Sequence, residues 1–219
     1  MNEKSLNNFL KRLKKNGSKF SYRKVQTKSK KVYEANITVF DALKKSDTDP
    51  NGKFFLERYI AAHAIMISFE GIPAIYFNSL FGKSNDEAKY VITGNNRDIN
   101  RYKWSYENIT KKLNDKNSKQ SIFYQNLGKL LEIKRKQKAF HPNAKRLNIN
   151  LGSKLFCFKR ISLDKKQTII SITNCSSEDQ YPKLNKKYSK WKNIINPKIN
   201  SLNESLKLKP FETMWLSNM

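Results

Sequence analysis

One polar run holds the residues best suited to chemistry: Gly94-Asn95-Asn96-Arg97-Asp98-Ile99-Asn100-Arg101. An arginine presents a planar fork of donors that suits phosphate oxygens or sugar hydroxyls. The run lies in a polar stretch, 78–103, behind a short apolar segment, Ile72–Phe77. Long loops after buried strands are often functional. Taken alone, Arg97 would more often be a surface or salt-bridged arginine, and Asp98 and Arg101 read as partners that hold the loop. The other reactive side chains read as structural. Asp86 and Glu87 are adjacent, and neighbours on a loop rarely converge on one bond. His63 sits among apolar helix residues as a core histidine, and His141-Pro142 marks a joint. Cys157 and Cys175 match no metal spacing and read as buried free thiols in a reducing compartment. No metal or cofactor is expected.

The elements that must carry this loop centre on Gly52–Phe81. Phe55, Tyr59, Ala62, Met66 and Phe69 recur at helical spacing, and the pattern stops at Gly71. Ile72–Phe77 then reads as a nearly all-apolar strand, of the kind buried on both faces in a parallel sheet. Apolar helix, turn and apolar strand make the repeating unit of an α/β barrel or a doubly wound sheet. Before it, residues 3–15 predict an amphipathic helix with Leu6, Phe9, Leu10 and Leu13 on one face, closed by Asn16-Gly17. Residues 18–32 read as a basic loop and 32–43 as mixed, with a helical turn at the end. Ser46–Gly52 is a turn cluster that supplies capping residues for the next helix. Helices are expected over 105–115 and 120–138. Beyond His141-Pro142 the period changes to two, predicting strands near 146–151, 154–161, 167–174 and 211–216 in a small antiparallel β domain.

The chain has 219 residues and a formal net charge of +26. That charge invites a nucleic-acid reading. Of the 44 basic residues, however, only eight are arginine, and arginine is the preferred reader of phosphates and bases. The lysines are dispersed, including a run at 28–31 that reads as a solvated loop. A basic nucleic-acid-binding protein is the alternative class, and the weaker one. No apolar run approaches the roughly 20 residues of a membrane span, and the N-terminus lacks a signal-peptide core. A cytoplasmic location is expected.

Four segments in fixed order carry a family resemblance: YEANITVFDAL, ERYIAAHAIMISFEGIPAIYFNSLFGKSND, GNNRDINRYK and LLEIKRKQKAFHPNA. Together they resemble the C-terminal part of sucrose phosphorylases and of the relatives that phosphorolyse glucosylglycerate, within the α-amylase superfamily of glycoside hydrolases. The resemblance runs from about Phe9 to Leu216. It implies an α/β fold: the C-terminal portion of a (β/α)8 barrel over residues 1–142, then a small antiparallel β domain over 143–219. Ile72–Phe77 would be the eighth barrel strand. A whole barrel takes about 250 residues, and too few precede the β domain here.

The resemblance also implies chemistry. Such enzymes are retaining, with two carboxyl groups about 5–5.5 Å apart as nucleophile and acid/base, and phosphate takes the glucosyl unit to give glucose 1-phosphate. Those carboxylates, and a further aspartate in a His-Asp motif, would precede Met1, and no His-Asp pair occurs in the sequence. By resemblance the acceptor side remains. The loop of Lys31, Val32, Tyr33 and Glu34 would meet acceptor sugar or phosphate, and Arg97 would contact substrate from the opposite wall. Lys31 replaces an aspartate of the sucrose-specific enzymes and Glu34 a glutamine, so the pattern lies closer to the glucosylglycerate branch. Asn36 would fix the loop. The chain is expected to be inactive alone. It would either associate with a separately encoded N-terminal portion or represent a decayed frame with no stable product.

Overall fold

The computed structural model describes residues 2–24, 30–188, 190–197 and 206–219. In chain order the elements are α1 (Glu3–Lys15), β1 (Lys19–Lys24), β2 (Lys30–Asn36), α2 (Val39–Lys44), α3 (Phe55–Ser68), α4 (Phe77–Leu80), α5 (Glu87–Thr93), a 3-10 helix (Asn96–Asn100), α6 (Tyr106–Asn114) and α7 (Lys119–Arg135). Then follow β3 (Lys145–Ile149), β4 (Leu155–Ile161), β5 (Thr168–Asn174), β6 (Lys192–Asn193) and β7 (Thr213–Ser217). Two compact units emerge, Met1–Phe55 with Ile75–Tyr124, and Leu56–Ala74 with Gln125–Met219.

The first unit carries the candidate loop. Helix α1 starts where Asn2 accepts a hydrogen bond from the Ser5 amide and ends at Asn16, whose side chain donates to the Ala42 carbonyl. Residues read as a basic loop instead form the antiparallel hairpin β1–β2; its middle, 25–29, with the start of the lysine run, lies outside the described residues. Thr38 caps α2, and Asn85 reaches back to accept from the Thr38 amide at 2.9 Å. Phe40, Phe55 and Phe123 meet edge to face, with ring centroids 4.5 to 5.9 Å apart, an arrangement that favours the ring quadrupoles. Buried Asn78 ties the polar stretch together. It donates to the Tyr102 carbonyl at 3.0 Å and accepts from the Trp104 indole at 2.8 Å.

The second unit is built on a five-stranded antiparallel sheet, order β3-β4-β5-β7-β6. Four of these strands lie where period two predicts them, because alternate residues face a core of Cys157, Ile170, Ile172, Leu208, Met214 and Leu216. The two-residue β6 carries no sequence signal. Buried Arg160 on β4 holds the unit together: it donates to the carbonyls of Ser68 at 2.8 Å, His141 at 2.7 Å and Ala144 at 3.3 Å, and also to that of Phe69. The last carbonyls of a helix lack intrahelical partners and form its negative end, so a guanidinium at the close of α3 is well placed. His63 is buried, its Nδ1 donating to the Tyr59 carbonyl at 2.9 Å, as a core histidine should. Cys157 is buried, but Cys175 is exposed, contrary to the expected burial, because it lies one residue beyond β5.

The expected strand at Ile72–Phe77 is not formed. Residues 72–76 belong to no sheet, and Phe77 opens α4. Ile72 is 85% exposed, and Tyr76 and Phe77 are each 54% exposed. A strand needs neighbours to take its N–H and C=O groups, and no described strand lies beside this segment. Its apolar sequence is that of a buried strand, yet Ile72, Ala74 and Tyr76 are exposed, with Pro73 and Ile75 half-buried.

Candidate functional site

The hairpin β1–β2 and the 3-10 turn together make an open cleft of about 490 Å³. Ser21, Tyr33, Glu34, Asn96, Arg97 and Arg101 line it, with Gly94 and Asn95 at the turn. Gly94 takes a left-handed φ of 63° as the cap of α5, with its amide bonded to the Tyr90 carbonyl. This turn starts the 3-10 segment, where Asn95 accepts from the Arg97 amide at 3.1 Å.

On a regular strand, consecutive side chains face opposite ways, so Tyr33 and Glu34 should not share a cleft. A register shift resolves this. Ser21 pairs with Glu34 and Tyr22 with Val32, which leaves Tyr33 as the extra residue of a β-bulge. Bulges redirect side chains in this manner and recur beside functional sites. Tyr33 is 64% exposed and stands at the rim.

Arg97 Nε donates to Glu34 Oε2 at 3.0 Å, so the arginine touches Glu34 instead of facing it from an opposite wall. Buried Asn36 anchors the hairpin by donating to the Lys19 carbonyl and to Ser21 Oγ, both at 3.3 Å. Asn96 Nδ2 donates to the Phe20 carbonyl at 3.1 Å and to the same Ser21 Oγ at 3.2 Å. Asp98 stands outside the lining. A hydrogen bond from the Thr93 hydroxyl, then one from Lys89, holds its carboxyl below the usual range, and Lys89 Nζ lies 3.4 Å away.

Of the five residues singled out by sequence, the cleft gathers Tyr33, Glu34 and Arg97. Lys31 is exposed and Val32 half-buried, and neither lines it. Sequence reading missed Ser21, hidden in an apparent loop, and the cleft position of Arg101. No local spacing marks Arg101, because it lies just past the 3-10 segment, whose three-residue turn does not align positions four apart. Asp86 accepts from the Lys89 amide as the cap of α5 and forms no pair with Glu87. Among the described residues no group of His, Cys, Asp and Glu could hold a metal ion, and no helix is long and apolar enough to cross a membrane.

No protein-family model matches the chain. Glucosylglycerate phosphorylase of Escherichia coli is 28% identical over 204 residues, covering 93% of this chain and 35% of that protein. The glucosylglycerate phosphorylase of Spirochaeta thermophila is 32% identical over 148 residues, covering 68% of this chain and 25% of that protein. The chain thus spans about a third or less of the relatives it matches. Among solved structures, sucrose 6F-phosphate phosphorylase from Thermoanaerobacter thermosaccharolyticum superposes with a TM-score of 0.59 at 20% identity, over 95% of this chain and 37% of that one. An Anoxybacillus α-amylase superposes with a TM-score of 0.57 at 15% identity, over 83% of this chain and 35% of that one. The chain is a homologue of glucosylglycerate and sucrose phosphorylases, and its fold is that of the C-terminal part of the barrel enzymes on which it superposes.

Proposed function

We propose that this chain is the C-terminal portion of a retaining phosphorylase, which moves a glucosyl unit between glucosylglycerate or sucrose and phosphate. The observation that carries this reading is similarity to a glucosylglycerate phosphorylase over 93% of the chain. On this reading residues 1–142 are the end of the barrel and 143–219 the following β domain, acting in the cytoplasm. Tyr33, Glu34 and Arg97 face the acceptor side, where sugar, phosphate or glucose 1-phosphate is held, and Lys31 and Val32 precede the first two on their strand without lining the cleft. Here the chain binds and orients: Tyr33 offers a ring face and hydroxyl at the rim, and Arg97 offers directed donors.

The bond-breaking carboxylates come from elsewhere. Double displacement needs two carboxyl groups, and among the described lining residues the cleft has one, Glu34, already paired with Arg97. A separately encoded N-terminal portion would supply the nucleophile and acid/base, and the chain alone is inactive. The bare segment Ile72–Tyr76 is where that portion would add flanking strands, since an exposed apolar edge invites pairing. The alternative class, lysine-driven nucleic-acid binding, rests on the net charge of +26 alone, and its affinity would collapse with salt.

Co-expression with a matching N-terminal barrel portion tests this. The reading predicts that the two co-purify at one to one and that Ile72→Asp breaks the complex. Failure of the two to associate, with this chain folded and monomeric, would contradict it.

A further inference from the structure

We infer that the cleft divides its two arginines between two tasks, with Arg101 and Ser21 holding an oxyanion and Arg97 serving neutral hydroxyls. The inference deepens the proposed acceptor cleft and rests on that reading for the identity of the anion. Arg97 is charge-compensated, because Glu34 Oε2 sits 3.0 Å from its Nε. An anion brought to Arg97 meets that carboxylate as well, and like charges at such range repel. The Nη edge of Arg97 is left to donate to groups without charge.

Arg101 differs. It lines the same cleft and is exposed, and no carboxylate lies within ion-pair distance of its guanidinium among the described residues. Asp98, whose carboxyl feels the charge of Arg101, is ion-paired instead with Lys89 Nζ at 3.4 Å. Arg101 is therefore the uncompensated cation of the cleft, and a guanidinium can grip two oxygens of a phosphate or carboxylate at once.

Ser21 adds the second donor. Its Oγ accepts from Asn36 Nδ2 at 3.3 Å and from Asn96 Nδ2 at 3.2 Å. Both amides are held in this orientation by backbone carbonyls, those of Lys19 and Phe20. A hydroxyl has two lone pairs and one proton. With both lone pairs taken, the proton of Ser21 must be donated, and Ser21 opens on the cleft. A preset O–H donor lining the same cleft as a guanidinium without an ion-pair partner is suited to an oxyanion: inorganic phosphate, or the carboxylate of a small hydroxy acid.

The test follows the arginine Nε–Hε resonances of the full chain by NMR. Inorganic phosphate or glycerate is added at constant ionic strength, so that dispersed lysines contribute only a uniform background. The eight arginines give a spectrum simple enough to assign by substitution. Saturable movement of the Arg101 resonance is expected, and whichever anion moves it at lower concentration is the one the cleft takes. Arg101→Gln should weaken binding about tenfold or more, the loss of a charge-assisted pair. Arg101→Lys, which keeps the charge without the fork, should weaken it by less, and the double variant Arg97→Gln with Glu34→Gln, which removes the ion pair at unchanged net charge, should leave it within about twofold. Glu34→Gln, which removes the competing carboxylate, should tighten it. If Arg97→Gln abolishes binding while Arg101→Gln does not, or if no cleft resonance moves in the native chain, the assignment is overturned. The two levels separate cleanly. A reconstituted enzyme that is active with Arg101→Gln at native affinity for both phosphate and glycerate sinks this inference and spares the phosphorylase reading. Anion binding through Arg101 in a pair without phosphorolysis does the reverse.

Discussion

Glu34 Oε2 and Arg97 Nε lie 3.0 Å apart across 63 residues of chain, joining the bulged strand to the 3-10 turn. The bond fixes which face of the arginine is left for a ligand. Both side chains are partly solvent-exposed, at 34% and 48%, so the pair contributes little to folding. Glu34→Gln should change stability by less than about 1 kcal/mol, the usual range for exposed ion pairs. Urea unfolding checks this, and a larger loss would mean that the pair is structural first.

Arg160 is the opposite case. It is fully buried and serves four carbonyls of its own unit. Arg160→Ala would leave those carbonyls without donors, costing about 3 kcal/mol or more. For a chain of this size each kcal/mol is worth about 2–4 °C in Tm. Thermal unfolding followed by circular dichroism should therefore show a fall of about 6 °C or more.

Two glycines in the left-handed region allow a matched comparison. Gly82 has φ +57° and Gly94 has φ +63°, but a Cβ on Gly82 would collide with the Phe123 ring, whereas nothing lies within 4 Å of one on Gly94. Gly94→Ala should cost about 1–2 kcal/mol for conformation alone. Gly82→Ala adds overpacking, for about 2–4 kcal/mol in all. Equal effects in denaturant titrations would show that the ring yields freely.

His63 gives the fold a pH dependence. Burial is the larger influence and lowers its pKa, opposed by the hydrogen bond to Tyr59. A lowered pKa means that the unfolded chain binds the proton more readily, so stability rises with pH across this window. The contribution is complete above the unfolded value of about 6.5 and is lost as pH falls through the folded value. His63→Phe should flatten the stability profile below about pH 6.5, where the native chain loses stability as pH falls.

The sequence was most readable where one face meets a core. The spacing of Tyr59, Ala62 and Met66 marks α3, and alternation through Ile170 and Ile172 marks β5. The hairpin β1–β2 was not readable, because Lys19, Arg23 and Lys31 put charge on its strands and its geometry turns on a bulge, which leaves no period. Ile72–Tyr76 was legible as a buried strand, yet its burial depends on strands that the described chain does not provide. For the site, the motif around Arg97 was visible. The pairing with Glu34 and the part played by Ser21 depend on contacts across 63 and 75 residues, beyond what local pattern can show.

The central claim is best tested by the product of the reconstituted pair. Given glucosylglycerate or sucrose with inorganic phosphate, the account predicts α-glucose 1-phosphate by proton and phosphorus NMR. It should form only when both polypeptides are present and diminish with Arg97→Gln. A pair that assembles and folds but releases free glucose, or makes no sugar phosphate, would contradict it.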